Sequence, residues 1–252
     1  MGLEPLSPEG GKRSVEPPLQ ARPGLAFPVP VQGVVIDLDG TLLDTAADIA
    51  TAATRMAADL GLPVPDAEVI KTYIGNGISR LVKRVLSGSM DGEPDADAAR
   101  QALVVFEKHY AACVSAQSRP YPGVVDGLEA MRSGGLRLAC VTNKAEKFTR
   151  PLLRDTGLAG YFEAVVSGDS LPRKKPDPMP LLHVAQTFGV APGELLLIGD
   201  SVNDVEAARA AGMRVFCVPY GYNRGQDVRE LDADAVVRDV AQAATLIVKG
   251  LR

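Results

Sequence analysis

The 252-residue chain has no tryptophan, two histidines and three cysteines. Two histidines leave little room for histidine-based catalysis or for a histidine-rich metal site. An odd number of widely separated cysteines argues against a disulfide framework and favours a reducing compartment. The apolar runs are too short to span a bilayer. The sequence therefore predicts a cytoplasmic protein without a membrane partner.

The charge balance is mildly acidic, with 27 Lys and Arg against 31 Asp and Glu and a net charge of −4. Without a basic excess, electrostatics give little support to nucleic-acid binding. Hydrophobic residues make up 46% of the chain and charged residues 23%, which is the composition of a globular protein. We expect a small-molecule partner, no nucleic acid, and either a monomer or a homodimer.

Residues 1–30 differ in composition from the rest of the chain. They contain seven of the 19 prolines, and they lack the continuous apolar segment of a secretory signal. Such a proline-rich, polar stretch predicts a disordered extension that contributes nothing to the core.

Short apolar runs of strand length alternate with helical patterns in the remainder. The first run is Gly33–Ile36, and others occur at 136–141, 164–167, 195–198, 215–218 and 235–237. Helical patterns lie near 123–134, 145–157, 178–189, 203–212 and 239–249. This alternation is typical of βαβ units. It predicts an α/β, Rossmann-like fold with a mostly parallel sheet and helices on both faces.

One stretch breaks the alternation, because residues 45–119 show helical patterns and no convincing strand. Ile78, Leu81, Val82, Val85 and Leu86 recur at the spacing of one helix face. We predict an all-helical cap inserted after the first strand, with residues 31–44 and 120–252 forming the core. A chain that leaves and re-enters the sheet there should lie over its ligand-binding edge.

The first polar motif directly follows the first strand and reads Asp37-Leu38-Asp39-Gly40-Thr41. Two carboxylates at a strand end suit a nucleophile or metal ligand together with a proton-transferring group. One alternative is an Asp-Gly turn without function. A calcium loop is another, but it needs Gly at its sixth and Glu at its twelfth position, where this chain has Leu42 and Asp48.

Two further motifs follow later strands or loops. Val141-Thr142-Asn143-Lys144 ends the next core strand, where a hydroxyl and backbone amides can hold a phosphate oxygen. Arg173-Lys174-Lys175-Pro176 places a cation beside prolines that begin a helix. Taken alone, the first also fits a helix cap and the second a solvated basic turn.

The last motif, Gly199-Asp200-Ser201-Val202-Asn203-Asp204, follows the apolar run at 195–198. Carboxylates near Asp37 would repel one another unless a cation lay among them, and oxygen ligands of this kind suit Mg²⁺. A helix capped by Asn or Asp is the alternative. All four motifs fall at the same predicted sheet edge, which favours one shared site.

Together the motifs resemble those of the haloacid dehalogenase superfamily of phosphotransferases. The resemblance covers about residues 31–245 and rests on Asp-x-Asp-Gly-Thr, the strand-end Thr, Lys-Pro-x-Pro and Gly-Asp-Ser-x-x-Asp. Within this superfamily the chain is similar to bacterial phosphoglycolate phosphatases, on the segments 73–77, 169–172 and 220–223.

The resemblance implies a role for each motif residue. Asp37 would be the nucleophile and Asp39 the general acid and base, with Thr142 binding phosphate and Lys175 stabilising charge. Mg²⁺ would be held by Asp37, Asp200 and the backbone carbonyl of Asp39. The remaining implied residues are Leu38 and Asn143 at the phosphate, and Asp204 behind the metal ligands.

The reaction implied by the resemblance is Mg²⁺-dependent hydrolysis of 2-phosphoglycolate to glycolate and phosphate through an aspartyl-phosphate. A phosphosugar mutase is an alternative, because Gly77-Ile78-Ser79-Arg80 resembles the insertion loop of β-phosphoglucomutases. Another small-molecule phosphatase, such as a pyrophosphatase, is a second alternative. A non-enzymatic interaction module would be expected to have lost at least one motif residue, and none is lost.

Substrate specificity is expected to come from the insertion. Gly75, Asn76 and Gly77 precede a predicted helix, whose N-terminal amides suit a carboxylate. Arg80 is the nearest cation and suits a bidentate pair with that carboxylate. Its alternative is a solvated helix face, since Lys83 and Arg84 share that face.

Overall fold

The computed structural model describes residues 18–250. Its strands are β1 (Gln20–Ala21), β2 (Val29–Val31), β3 (Gly33–Ile36), β4 (Leu43–Asp44), β5 (Arg119–Pro120), β6 (Arg137–Val141), β7 (Ala164–Val166), β8 (Leu195–Gly199), β9 (Arg214–Cys217), β10 (Ala235–Val236) and β11 (Ile247–Lys249). Seven of these strands form the main sheet, in the order β1-β10-β9-β8-β3-β6-β7. All neighbours are parallel except β1 and β10.

The helices are α1 (Ala46–Asp59), α2 (Ala67–Thr72), α3 (Ile78–Ser87), α4 (Ala96–Ala111), α5 (Val124–Ser133), α6 (Glu146–Asp155), α7 (Met179–Phe188), α8 (Val202–Ala211) and α9 (Val240–Thr245). Helices α5, α6 and α9 pack on one face of the sheet, and α7 and α8 pack on the other. The predicted α/β fold with helices on both faces is confirmed.

The strands of the sheet centre are apolar throughout because both of their faces are covered. Along β3, Val34 and Ile36 point into one core layer and Val35 points into the other. All three side chains are fully buried. A strand that is buried on both faces has a continuous apolar sequence rather than an alternating one. These strands could therefore be predicted from their apolar runs.

Helices α1–α4 occupy the stretch between β4 and β5, which pair with each other in an antiparallel ribbon. The buried Asp48 of α1 fastens the far end of this stretch. Its carboxylate accepts hydrogen bonds from the backbone N–H of Gln117 and Ser118, at 3.0 and 2.8 Å, and from the Ser118 hydroxyl at 2.6 Å. The entrance and exit of the helical insertion are thereby joined.

The prediction of a disordered extension over residues 1–30 is wrong for residues 18–30. β1 pairs with β10 at the sheet edge, and β2 pairs with β11. Val29 and Val31 are buried while Pro30 points outward, and Phe27 packs against Phe216. An edge strand tolerates proline because one side needs no ladder hydrogen bonds, so proline content was a misleading signal here. Residues 1–17 lie outside the described residues.

The helical pattern predicted at 239–249 is also partly wrong. α9 ends at Thr245, and residues 247–249 form β11 alongside β2. Ile247 is buried against the core, so its apolar position fitted a helix periodicity as well as a strand. Among residues 18–250, no helix combines the length and hydrophobicity that a membrane crossing requires.

Candidate active site

The site lies at the carboxyl ends of β3 and β8, the two neighbouring central strands. Asp37 directly follows β3 and Asp200 directly follows β8, and the Asp37 N–H donates to the Ile198 carbonyl at 2.9 Å. The chain leaves β3 toward β6 and leaves β8 toward β9, in opposite directions across the sheet. Such a reversal opens a crevice in which open α/β sheets bind ligands.

The turn after Asp37 brings the motif residues back toward the crevice. The Leu38 carbonyl accepts from the N–H groups of Leu42 and Leu43, both at 3.0 Å, while its side chain is in the core. Gly40 has a φ of +90° and lies against Asp200, where a Cβ would come within 2.4 Å of a carboxylate oxygen. Glycine is therefore required for this turn to approach Asp200.

Lys175 is held between two carboxylates at the centre of the site. Its Nζ lies 2.8 Å from Asp37 Oδ1 and 2.7 Å from Asp204 Oδ1, and it donates to the Val141 carbonyl at 2.8 Å. Burial works against its charge, but Asp204 and Asp37 raise the pKa of the ammonium above its ordinary value. Three fixed acceptors give this cation a single position beside the predicted nucleophile.

Asp200 is buried and held by two donors. Its Oδ1 accepts from the Thr41 hydroxyl at 2.9 Å, and its Oδ2 accepts from the Tyr222 N–H at 2.5 Å. Burial first, and the nearby Asp37 and Asp204 next, raise the pKa of Asp200 well above its ordinary value. The carboxyl is oriented by these contacts, but it lacks a cation of its own among residues 18–250.

Asp37 is also a buried carboxyl with too little positive charge around it, although Lys175 contacts it. Burial raises the pKa of Asp37 from 3.8 to about 7, with Lys175 opposing the shift and Asp204 adding to it. Ligand oxygens of Asp37, Asp200 and Asp204 lie within 4.8 Å of one another. Three buried carboxyls with one lysine among them form an arrangement that a divalent cation would stabilise.

Asp39 is held by a second lysine that the sequence analysis did not single out. Lys144 Nζ lies 2.8 and 3.0 Å from the two carboxylate oxygens of Asp39, and the Thr45 hydroxyl donates to Asp39 Oδ1 at 2.7 Å. The side chain of Lys144 is 2% exposed. The predicted general acid and base is thus fixed by one residue of the core and one at the start of the insertion.

Thr142 and Asn143 take different places at the end of β6. Thr142 lines the cleft, and its hydroxyl oxygen accepts from the Lys144 N–H at 3.1 Å. The Asn143 amide donates to the Lys175 carbonyl at 2.9 Å and to the Gly75 carbonyl at 3.0 Å. Asn143 therefore joins the Lys175 loop to the insertion as well as lining the cleft.

The segment Gly75-Asn76-Gly77 is fastened over the cleft by several side chains. The Asn76 Oδ1 accepts from Arg224 at 2.7 Å and from Arg84 at 3.0 Å. Gly75 and Gly77 have φ values of +114° and +82° and line the cleft with their backbone. The structure places these glycines at the cleft, and the Asn76 side chain holds them there.

Arg80 is not among the residues that line the cleft. Its guanidinium forms an ion pair with Glu93 and donates to the Met90 carbonyl at 3.1 Å. The loop after α3 therefore takes up the cation that was predicted to meet the substrate. Glu93 lies 13 residues after Arg80 and beyond the end of α3, so the helix pattern of α3 did not indicate this pair.

The cleft is narrow, with a cavity volume of about 30 Å³. Its floor carries Asp37, Asp39, Thr142 and the two lysines, and its roof carries apolar side chains of α1, of α3 and of the turn before α3. A buried carboxylate beside a fixed lysine, with a second oriented carboxylate nearby, supports nucleophilic attack coupled to proton transfer.

Comparison with known proteins agrees with this geometry. The model of the haloacid dehalogenase-like hydrolase family matches residues 34–218, which contain every motif described above. The chain belongs to this hydrolase family.

Individual relatives cover nearly the whole chain. A protein of Thiobacillus denitrificans named phosphoglycolate phosphatase is 62% identical over 224 residues, which are 89% of this chain and 99% of the relative. A phosphoglycolate phosphatase of Nitrosospira multiformis is 59% identical over 88% of this chain and 98% of its own.

The fold is shared with a solved structure. The crystal structure of a predicted phosphoglycolate phosphatase from Haemophilus somnus superposes with a TM-score of 0.79 at 33% identity. The match covers 84% of this chain and 95% of the other. The haloacid dehalogenase-like hydrolase thus shares its fold with this structure over most of its length.

Proposed function

We propose that this protein is a Mg²⁺-dependent phosphatase that hydrolyses 2-phosphoglycolate to glycolate and phosphate. The observation that carries the proposal is the buried Asp37, held by Lys175 at 2.8 Å in a small cleft that also contains Asp39 and Thr142. The names of the two relatives at about 60% identity support phosphoglycolate as the substrate.

The metal would be held by the carboxylates of Asp37 and Asp200 and by the backbone carbonyl of Asp39, with Asp204 engaged by Lys175 behind them. The fit rests on Asp37 and Asp200, whose raised pKa values reflect buried carboxyls with too little positive charge around them. A bound Mg²⁺ supplies charge neutralisation at the transferring phosphoryl group.

In the proposed reaction, Asp37 attacks phosphorus and forms an aspartyl-phosphate, while Asp39 gives a proton to the departing alkoxide. Asp39 then takes a proton from the water that hydrolyses the intermediate. Lys175 stabilises the negative charge at Asp37, and Thr142 binds a phosphoryl oxygen. Thr45 and Lys144 hold the Asp39 side chain in place, so that one carboxyl group serves both proton transfers.

Residues 45–119 would act as a cap over the cleft, and residues 31–44 and 120–250 as the catalytic core. Support comes from the segment 75–77, whose contacts with Asn143 and Arg224 fasten the insertion above the site. A cap in this position excludes bulk water during phosphoryl transfer, so that water does not compete for the charged groups.

The test is the variant Asp37→Asn, assayed with Mg²⁺ on 2-phosphoglycolate, pyrophosphate and β-glucose 1-phosphate. We expect wild type to release phosphate preferentially from phosphoglycolate and the variant to lose turnover while staying folded, because an amide is a poor nucleophile. Asp126→Asn, an exposed carboxylate of α5, is the matched control.

Three results would contradict the proposal. Retention of more than a few per cent of wild-type turnover in Asp37→Asn would remove Asp37 as the nucleophile. Conversion of the sugar phosphate to an isomer, rather than release of inorganic phosphate, would identify the mutase alternative. Preferential hydrolysis of pyrophosphate would instead favour the pyrophosphatase alternative.

A further inference from the structure

Lys144 has an unusual position for a lysine, because its charge lies inside the protein and at the substrate cleft. Its Nζ contacts both carboxylate oxygens of Asp39 and lies 4.9 Å from the ring centre of Tyr110 in α4. Burial works against its charge, but the facing Asp39 raises the pKa of Lys144 above its ordinary value. The ammonium therefore remains charged in contact with both core and insertion.

Apart from its acids and lysines, the cleft is lined by uncharged groups, and its polar side chains are Thr142, Asn143, Ser201 and Asn203. Its roof consists of Ile49, Ile74, Gly75, Gly77, Ile78 and Leu81. Among residues 18–250, the cations that line the cleft are Lys144 and Lys175, and Lys175 is already shared by Asp37 and Asp204. Arg80, the other candidate, is paired with Glu93.

We propose that Lys144 binds the carboxylate of the substrate and so determines specificity for a small phosphate ester that carries a second anionic group. This proposal rests on the proposed function, since it names the residue that recognises the non-reacting end of phosphoglycolate. An ammonium has three protons. Two are directed at the oxygens of Asp39, and the lysine also lines the cleft that the substrate would enter.

The location of Lys144 suits discrimination better than a surface cation would. Charge–charge contacts are weakened by water and salt at a surface, but they are much less screened where the cation is 2% exposed. A phosphate ester whose other end carries no charge would lose the contact with this ammonium while keeping every contact to the phosphoryl group. Recognition by Lys144 thus separates phosphate esters with a second anionic group from esters of similar size that lack one.

The test compares kcat/KM for 2-phosphoglycolate and for ethyl phosphate in wild type and in Lys144→Met. Contact with Asp39 means that both substrates lose some turnover, so the measured quantity is the ratio of the two kcat/KM values. We expect this ratio to fall by about 10- to 100-fold, the effect of removing one charge-assisted contact. Lys108→Met, an exposed lysine of α4, is the matched control and should leave the ratio unchanged.

An equal loss on both substrates would overturn the proposal and leave Lys144 as a residue that only positions Asp39. If Lys144→Met does not fold, Lys144→Gln carries the same test, because its amide keeps a donor toward Asp39. Lys144→Arg restores the charge and should recover part of the ratio.

If turnover becomes too low to compare, the test uses the ratio of the dissociation constants of the two esters instead. Dissociation constants of both esters are measured by calorimetry in Asp37→Asn and in Asp37→Asn combined with Lys144→Gln. A wild-type enzyme that hydrolyses other phosphate esters but not phosphoglycolate would refute the proposed function instead, and the two failures are thereby distinguished.

Discussion

Binding of Mg²⁺ should expel protons from the active site, because the carboxyls that would hold the metal are partly protonated without it. Burial raises the pKa of Asp37 to about 7 and raises that of Asp200 well above its ordinary value. A metal ligand must be a carboxylate, so each protonated acid has to release its proton when the ion binds.

The size of the effect follows from the raised pKa. With the pKa of Asp37 at about 7, this residue alone should release about 0.9 proton at pH 6 and about 0.1 at pH 8. Asp200 should add to the release at pH 6. The apparent affinity for Mg²⁺ should therefore weaken roughly tenfold from pH 8 to pH 6.

Isothermal titration calorimetry measures this release directly. Mg²⁺ is titrated at each pH in buffers of different ionisation enthalpy, and the slope of observed against buffer enthalpy gives the number of protons. Asp37→Asn should lower that number by about one at pH 6. A release below about 0.2 proton at pH 6 in wild type would refute the reasoning, because it would mean that Lys175 keeps both carboxyls ionised.

Protonation of Asp37 should also make the stability of the metal-free protein depend on pH. Folded Asp37 binds its proton at a pKa of about 7, above its ordinary value of 3.8. The contribution of this group is therefore present in full below pH 3.8 and is lost as the pH rises through 7. In chelator, the Tm should fall between pH 5 and pH 7.5, and saturating Mg²⁺ should reduce that fall.

Two further predictions concern stability. A chain that starts at residue 32 should melt on the order of 10 °C below one that starts at Pro18, since it loses the buried Val29 and Val31; thermal denaturation within 2 °C of the control would contradict this. Asp48→Asn should lower the free energy of unfolding in urea by about 2–4 kcal/mol because its amide faces backbone donors, and Ser118→Ala by about 1–2 kcal/mol. A loss below about 0.5 kcal/mol for Asp48→Asn would mean that water replaces the contacts.

Local patterns were sufficient for the fold class and the motif residues. The central strands are buried on both faces, so Gly33–Ile36 and the run at 195–198 stand out as continuous apolar segments. Parallel strands bring their carboxyl ends to one edge. The polar residues after them, Asp37 and Asp200, therefore had to lie close together once the strand order was given.

The sequence alone did not identify the partners of Asp39. Lys144 is 105 residues away from Asp39, and a lysine that follows Thr and Asn at a strand end is equally typical of a solvated helix start. The carboxylate that Lys144 contacts depends on the distance between β3 and β6 and on the position of the Tyr110 ring, which belongs to the insertion. Both are set only in the assembled tertiary structure.

The sequence by itself predicted which polar residues meet at the sheet edge, and the tertiary structure decided which cations line the cleft. Arg80 was the nearest positive charge to the glycine loop along the chain, yet the folded loop at 90–93 neutralises it with Glu93. The strand at 29–31 likewise depends on β11, more than 200 residues later, for its pairing. The local sequence indicates which residues are easily buried, whereas the residue that each one contacts is set by the whole fold.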